Sequence, residues 1–172
     1  HLDLSNNNIG RNGCTILAGL LQNDGSKLVQ LHLKNTGLHD EDIVTIANSL
    51  KHNTKLKTLY LGGSNAIGNR GYAAFLKLLV DVSSIENTYN SNHILRELEL
   101  NRWNSMNFWI DYACINNRRV ATPHTIGREN VIRTQLHSHN REELCRLQGI
   151  EYSSIPFADT SLALIPHSPS VN

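Results

Sequence analysis

The sequence predicts an α/β solenoid, with short parallel strands inside, helices outside and a helical region capping the C-terminal end. Three observations predict this fold. A Leu-x-Leu phrase recurs through the first hundred residues, helical apolar spacing follows each of its first three copies, and both patterns stop near residue 101. A single strand–helix unit cannot bury its own apolar face, whereas stacked units bury it continuously.

The strands are the first element of each unit. The recurring phrases are LDLSNNNI at 2–9, LHLKNTGL at 31–38 and LYLGGSNAI at 59–67, with a fourth start, LELN, at 98–101. Alternating Leu residues are typical of a strand with one buried face. Because a helix separates each start from the next, the pattern predicts a parallel sheet.

The helices are the second element, and their apolar positions agree between units. Each unit repeats the spacing i, i+3, i+4, i+7, which marks one face of a helix. The twelve positions, all apolar, are Cys14, Leu17, Ala18, Leu21, Ile43, Ile46, Ala47, Leu50, Tyr72, Phe75, Leu76 and Leu79.

The turns between strand and helix carry amides and glycines. Asn7 and Asn65 occupy equivalent places, where a side-chain amide can satisfy backbone groups that a tight bend leaves unpaired. Thr36 occupies the same place in the second unit, where its hydroxyl can satisfy some of these backbone groups. We expect Gly10 and Gly68 to permit a close approach to the following helix.

These phrases resemble the leucine-rich repeat family, specifically its ribonuclease-inhibitor-like subtype with units of 28–29 residues. The resemblance covers residues 1–101, as about three units plus a fourth strand. It implies a horseshoe segment that contacts other macromolecules through its concave sheet and rim loops. The Ran GTPase-activating protein is similar in repeat type, which implies an alternative role as a GTPase activator.

The repeat is interrupted once and then ends. A polar stretch, VDVSSIENTYNSNH, separates Leu79 from Leu95 and is expected to be an exposed loop, with a contact loop as the alternative. Beyond residue 101, helical spacing predicts helices near 108–115, 127–139, 141–147 and 156–166. We therefore expect a helical capping region over 102–166 and a disordered tail over 167–172.

Composition restricts the classes of partner. The net charge of +1 gives no electrostatic reason to expect nucleic acid or an anionic membrane surface.

Three widely spaced cysteines do not form a disulfide framework, which favours a cytoplasmic protein. The chain begins inside a strand pattern without Met, so a fragment is expected. We expect a monomer.

Chemical sites have little support in the sequence, and we expect no enzyme activity, cofactor or metal. His137, His139 and Cys145 form the densest group of possible ligands, but i, i+2 spacing places the two imidazoles on different helix faces. No glycine-rich phosphate loop with a Lys-Ser/Thr ending is present. Cys14 belongs to a core face, which favours a packing role over a catalytic one.

The open face of the sheet is the predicted binding surface. In each Leu-x-Leu the middle residue points away from the core. Its polar and aromatic mixture suits recognition of a protein partner of unknown identity. The predicted protein-binding residues are Asp3, His32, Lys34, Thr58, Tyr60, Glu97 and Glu99. Two alternatives remain: a surface that is merely solvated, and a truncated gene product without independent activity.

Overall fold

The computed structural model describes residues 1–101, 105–119, 122–135 and 137–152. In chain order the elements are β1 (Leu2–Asp3), α1 (Gly10–Gln22), β2 (Gln30–His32), α2 (Asp40–Ser49), β3 (Thr58–Tyr60), α3 (Asn69–Leu79), α4 (Ile85–Tyr89), β4 (Glu97–Glu99), α5 (Ser105–Arg118), α6 (Pro123–Gln135) and α7 (Ser138–Gln148). The predicted helix at 156–166 and the predicted tail lie outside the described residues.

The strands form one parallel sheet in the order β1-β2-β3-β4. The first Leu of each Leu-x-Leu lies in register across it, with Leu31 opposite Leu59 and Leu59 opposite Leu98. Leu31 and Leu59 are fully buried. The leucine alternation therefore correctly predicted which side of each strand faces the core.

The helices α1, α2 and α3 pack side by side, and their buried side chains share one hydrophobic cluster with the leucines of the sheet. All twelve apolar positions that the spacing predicts are buried in the core. Ile46 and Phe75 have no exposed surface, whereas Ile16, on the outer side of α1, is 73% exposed. Burial of one helical face is the main stabilising contribution to these units.

Asn65 lies in the turn after β3, and its amide bonds both that turn and the turn after β2 in the preceding unit. Its Nδ2 donates to the carbonyl oxygens of Leu33 (2.7 Å) and Leu61 (2.6 Å). Its Oδ1 accepts from the backbone N–H groups of Thr36 (3.0 Å) and Leu38 (3.1 Å). Asn7 is exposed and bonds only within its own turn.

A second row of asparagines, which the sequence patterns did not reveal, holds the loops that lead back to the strands. Asn53 donates to Leu21 O at 2.7 Å, and Asn92 donates to Leu50 O at 2.8 Å. Asn117 in α5 continues the row by donating to Leu95 O at 2.7 Å. Each buried amide thus satisfies a carbonyl oxygen near a helix end or in a return loop.

The predicted fold class, a leucine-rich repeat solenoid with a helical cap, is wrong. The described residues form seven helices and a small sheet whose strands have two or three residues each. Helices α4, α6 and α7 have no counterpart in a repeat unit. The protein is a helix-rich α/β domain with a short parallel sheet, and it is not a clear solenoid.

The physical reason lies in contacts between distant parts of the chain. Units of a solenoid contact only their neighbours. Here α3 packs against α7, which lies beyond the last strand and its helix, and α4 packs against α6. Gln148 of α7 accepts from Val82 N–H at 3.3 Å, across 66 residues of sequence. Apolar side chains of α5 and α7 join the same hydrophobic cluster as those of α1 to α3.

The polar stretch after Leu79 is not an exposed loop, contrary to expectation. It contains α4, and Thr88 on that helix is fully buried. The Thr88 hydroxyl donates to Asp81 O at 2.6 Å and accepts from Gln135 Nε2 at 2.8 Å. The division between 1–101 and 102–166 stays a prediction.

Candidate functional site

The open sheet face is formed by side chains that point away from the hydrophobic core. Two rows run across the strands in register. One joins Asp3, His32, Tyr60 and Glu99, and the other joins Gln30, Thr58 and Glu97. With Lys34, which follows β2, the structure brings all seven predicted binding residues together on one face. Their role in binding stays a prediction.

Exposure differs along these rows. Asp3 and Glu99 are exposed, and His32, Lys34, Tyr60 and Glu97 are partly exposed. Thr58 is only 8% exposed. Thr58 therefore offers a partner much less surface than the other predicted residues.

Two aromatic rings lie in contact at the centre of the open sheet face. The rings of His32 and Tyr60 lie 4.5 Å apart between centroids, tilted by 31°. The ammonium group of Lys34 lies 5.1 Å from the centroid of the Tyr60 ring, in cation–π geometry. These contacts restrict the rotamers of partly exposed side chains.

Tyr60 is further fixed by a carboxylate. Its hydroxyl donates to Glu97 Oε1 at 2.8 Å. This hydrogen bond raises the pKa of the Tyr60 phenol, since it favours the neutral donor. Beside it, Lys34 Nζ lies 2.7 Å from Glu99 Oε1 as an ion pair.

A cleft of about 370 Å³ opens between β4 and α5 at one end of the open sheet face. Its sheet side carries Tyr60, Glu97 and Glu99, and its helix side carries Asp111, Ile115 and Arg118. The Arg118 Nε donates to Arg96 O at 2.8 Å, which anchors that guanidinium beside the strand. The lining of the cleft thus combines three carboxylates with the guanidinium of Arg118, while Lys34 pairs with Glu99 on the sheet side.

The helix side of this cleft was missed at the sequence level. Asp111, Ile115 and Arg118 follow helical i, i+4, i+7 spacing, which could have identified them as one face of α5. Ile115 is 58% exposed, so its apolar side chain is accessible at the rim of the cleft.

The cysteines offer no activated nucleophile. Burial raises the pKa of Cys114, which lines the cleft, to about 12. It raises the pKa of Cys14 to about 11, and it also raises the pKa of Cys145. A thiol with a raised pKa is protonated near neutral pH and is poorly nucleophilic.

Possible metal ligands lie together at the β1 edge of the face. Among the described residues, His1, Asp3 and His32 form a group whose ligand atoms all lie within 4.8 Å of one another. Hydrogen bonds from the side chain and backbone of Ser5 hold the pKa of Asp3 below its ordinary value. In the described part of the chain, the structure does not bring the ligand atoms of His137, His139 and Cys145, the group suggested by sequence spacing, within this distance of one another.

None of the described helices is both long enough and apolar enough to cross a membrane. No family model matches the sequence, and no curated protein matches it. One similar solved structure is that of "Leiomodin-1 Actin-Binding Site 2 (ABS2)", at 18% identity and a TM-score of 0.46 over 86% of each chain. Because this TM-score is below 0.5, the likeness supports no argument about function.

Proposed function

We propose that this protein is a non-catalytic binding module that holds a protein partner on its open sheet face and in the adjoining cleft. We further propose that it acts as a monomer in the cytoplasm, without a nucleic-acid or membrane partner. The observation that carries the proposal is Tyr60, a partly exposed aromatic residue fixed by His32, Lys34 and Glu97 at the centre of the face.

The fixed geometry of Tyr60 favours binding. A partner that meets an already ordered side chain causes little further loss of rotamer entropy, so more of the contact energy appears as affinity. Tyrosine combines a large apolar ring with a polar hydroxyl and is enriched at the energetic centres of interfaces. The neighbouring charges would contribute less individually, because partly solvated ion pairs contribute about 1 kcal/mol or less.

The cleft indicates which part of a partner fits best. Its walls offer the apolar side chain of Ile115, the ring of Tyr60 and the carboxylate of Asp111. A Lys or Arg side chain matches this arrangement, since its aliphatic stem packs on apolar surface while its charge stays near a carboxylate. We propose that the partner inserts such a side chain between β4 and α5.

The experiment is to recover partners by affinity capture and then to measure the dissociation constant of the purified partner for each variant. Tyr60→Ala should weaken binding by about 2 kcal/mol. Ile115→Ala should weaken it less, because a rim position remains partly solvated. The free energy of unfolding of both variants should stay close to that of the original chain, since both side chains are partly or largely exposed.

Ile16→Ala is the matched control, since Ile16 is an exposed apolar residue on the helical side of the domain. It should leave the dissociation constant unchanged. If Ile16→Ala abolished binding while Tyr60→Ala had no effect, the binding surface would lie on the helices. The alternative role as a GTPase activator predicts faster multiple-turnover GTP hydrolysis by a GTPase when this chain is added.

A further inference from the structure

The edge of the sheet at β1 places three metal-ligating side chains on one face. His1 and Asp3 flank Leu2, so the alternation of a strand directs both to the same side. His32 is the register partner of Asp3 on β2. Its Nδ1 lies 3.7 Å from Asp3 Oδ2, and the His1 and His32 ring centroids are 4.5 Å apart.

The chemistry of this group selects a class of metal ion. Two imidazoles and one carboxylate suit zinc and the neighbouring divalent transition metals, whereas calcium and magnesium prefer all-oxygen sites. Zinc accepts nitrogen ligands at about 2.0–2.1 Å and carboxylate oxygens at about 2.0–2.2 Å. The ligand atoms already lie within 4.8 Å of one another. Small side-chain rotations would therefore bring all three to these distances from one shared ion.

We propose that His1, Asp3 and His32 form a binding site for one zinc ion. Three protein ligands leave a coordination position for water or for a donor atom of another molecule. The site lies at the opposite edge of the open sheet face from the cleft, and it does not depend on the protein-binding function proposed above.

Neighbouring groups already orient two of the three ligands. The His1 Nδ1 lies 3.0 Å from Gln30 Oε1, so a proton on Nδ1 can be donated to that oxygen, leaving Nε2 free to bind the metal. The Ser5 N–H donates to Asp3 Oδ1 at 2.9 Å, while Asp3 Oδ2 faces His32. This is the arrangement of outer hydrogen bonds that commonly fixes metal ligands.

The test is calorimetric titration of the full chain with zinc, without a histidine tag. A short Gly-Ser extension before His1 prevents a free α-amino group at that residue from acting as a ligand. The expected result is one bound zinc per chain. His1→Ala and His32→Ala should each weaken the affinity by more than about 100-fold, and Gln30→Ala by about tenfold.

Control variants separate this site from other histidines. His52→Ala, and the double change His137→Ala with His139→Ala, should leave the affinity unchanged. X-ray absorption at the zinc edge should show two imidazole ligands, of which one disappears in His32→Ala. Circular dichroism should be the same for all variants, because His1 and Asp3 are exposed and His32 is partly exposed.

Several outcomes would overturn the proposal. These are the absence of stoichiometric binding, an affinity unchanged by His32→Ala, and loss of binding in the His137/His139 variant. Failure of zinc binding would leave the Tyr60 comparison unaffected, because Tyr60 is not a ligand. Conversely, loss of partner binding in Tyr60→Ala would not change the zinc titration.

Discussion

The side-chain oxygen of Asn65 accepts a hydrogen bond from the backbone N–H of Thr36, 29 residues earlier in the chain, at 3.0 Å. Both residues are buried, and the contact joins the turns of two successive strand–helix units. Since the same amide also binds Leu33, Leu38 and Leu61, one side chain satisfies several backbone groups that water cannot reach.

Asn65→Ala should therefore lower the free energy of unfolding by about 3 kcal/mol, because it leaves buried N–H and C=O groups without partners. Urea denaturation would measure the change. Asn7→Ala is the matched control at the equivalent, exposed position and should cost about 1 kcal/mol or less. Equal losses in the two variants would show that burial of the amide is unimportant.

Ile46→Ala should lower the free energy of unfolding by about 2–5 kcal/mol, because it opens a cavity in the layer between α2 and its neighbours. Ile16→Ala removes the same atoms from a side chain that is 73% exposed, and should change stability by about 0.5 kcal/mol or less. Thermal melting compares the two directly. An unchanged midpoint for Ile46→Ala would contradict the packing of this core.

Replacing residues 83–91 with a Gly-Ser linker of equal length should lower the free energy of unfolding by at least about 2 kcal/mol. The reason is that α4 covers α6, and the buried Thr88 hydroxyl is a partner of Gln135. Chemical denaturation measures the loss. Glu86→Ala, on the exposed side of α4, should cost about 0.5 kcal/mol or less. Undiminished stability in the linker variant would restore the interpretation of this stretch as an exposed loop.

His93 should make the domain less stable in mild acid. Burial lowers the pKa of this imidazole below its ordinary value, so the unfolded chain binds the proton more readily than the folded chain. Stability should therefore fall as the pH drops below about 6.5, by at most about 1.4 kcal/mol per pH unit from this residue.

Urea denaturation of the original chain and of His93→Gln between pH 8 and pH 5 measures this effect. The difference in stability between the two chains should shift in favour of the variant as the pH falls. The other histidines are common to both chains and cancel in the comparison. A difference independent of pH would show that His93 is not the responsible group.

The candidate site was only half predictable from the sequence. Strand alternation placed Asp3, His32 and Tyr60 on the open face, because the side-chain direction in a strand is a local property. The cleft was not predictable in the same way, since Ile115 approaches Tyr60 only after α5 packs beside β4. Likewise, His1 and His32 are far apart in sequence and meet through the register of two strands.

The sequence by itself determined the elements whose burial repeats with a fixed period. Leucine alternation and helical spacing located the four strands and the buried faces of α1, α2 and α3, because local geometry converts period directly into direction. Only the tertiary structure decided that α5 and α7 join the same core, that α4 packs against α6, and that the result is a helix-rich domain. Contacts such as that between Gln135 and Thr88 link residues 47 apart in sequence. They depend on complementary shape and hydrogen bonding between distant segments, which leave no periodic signal in the chain.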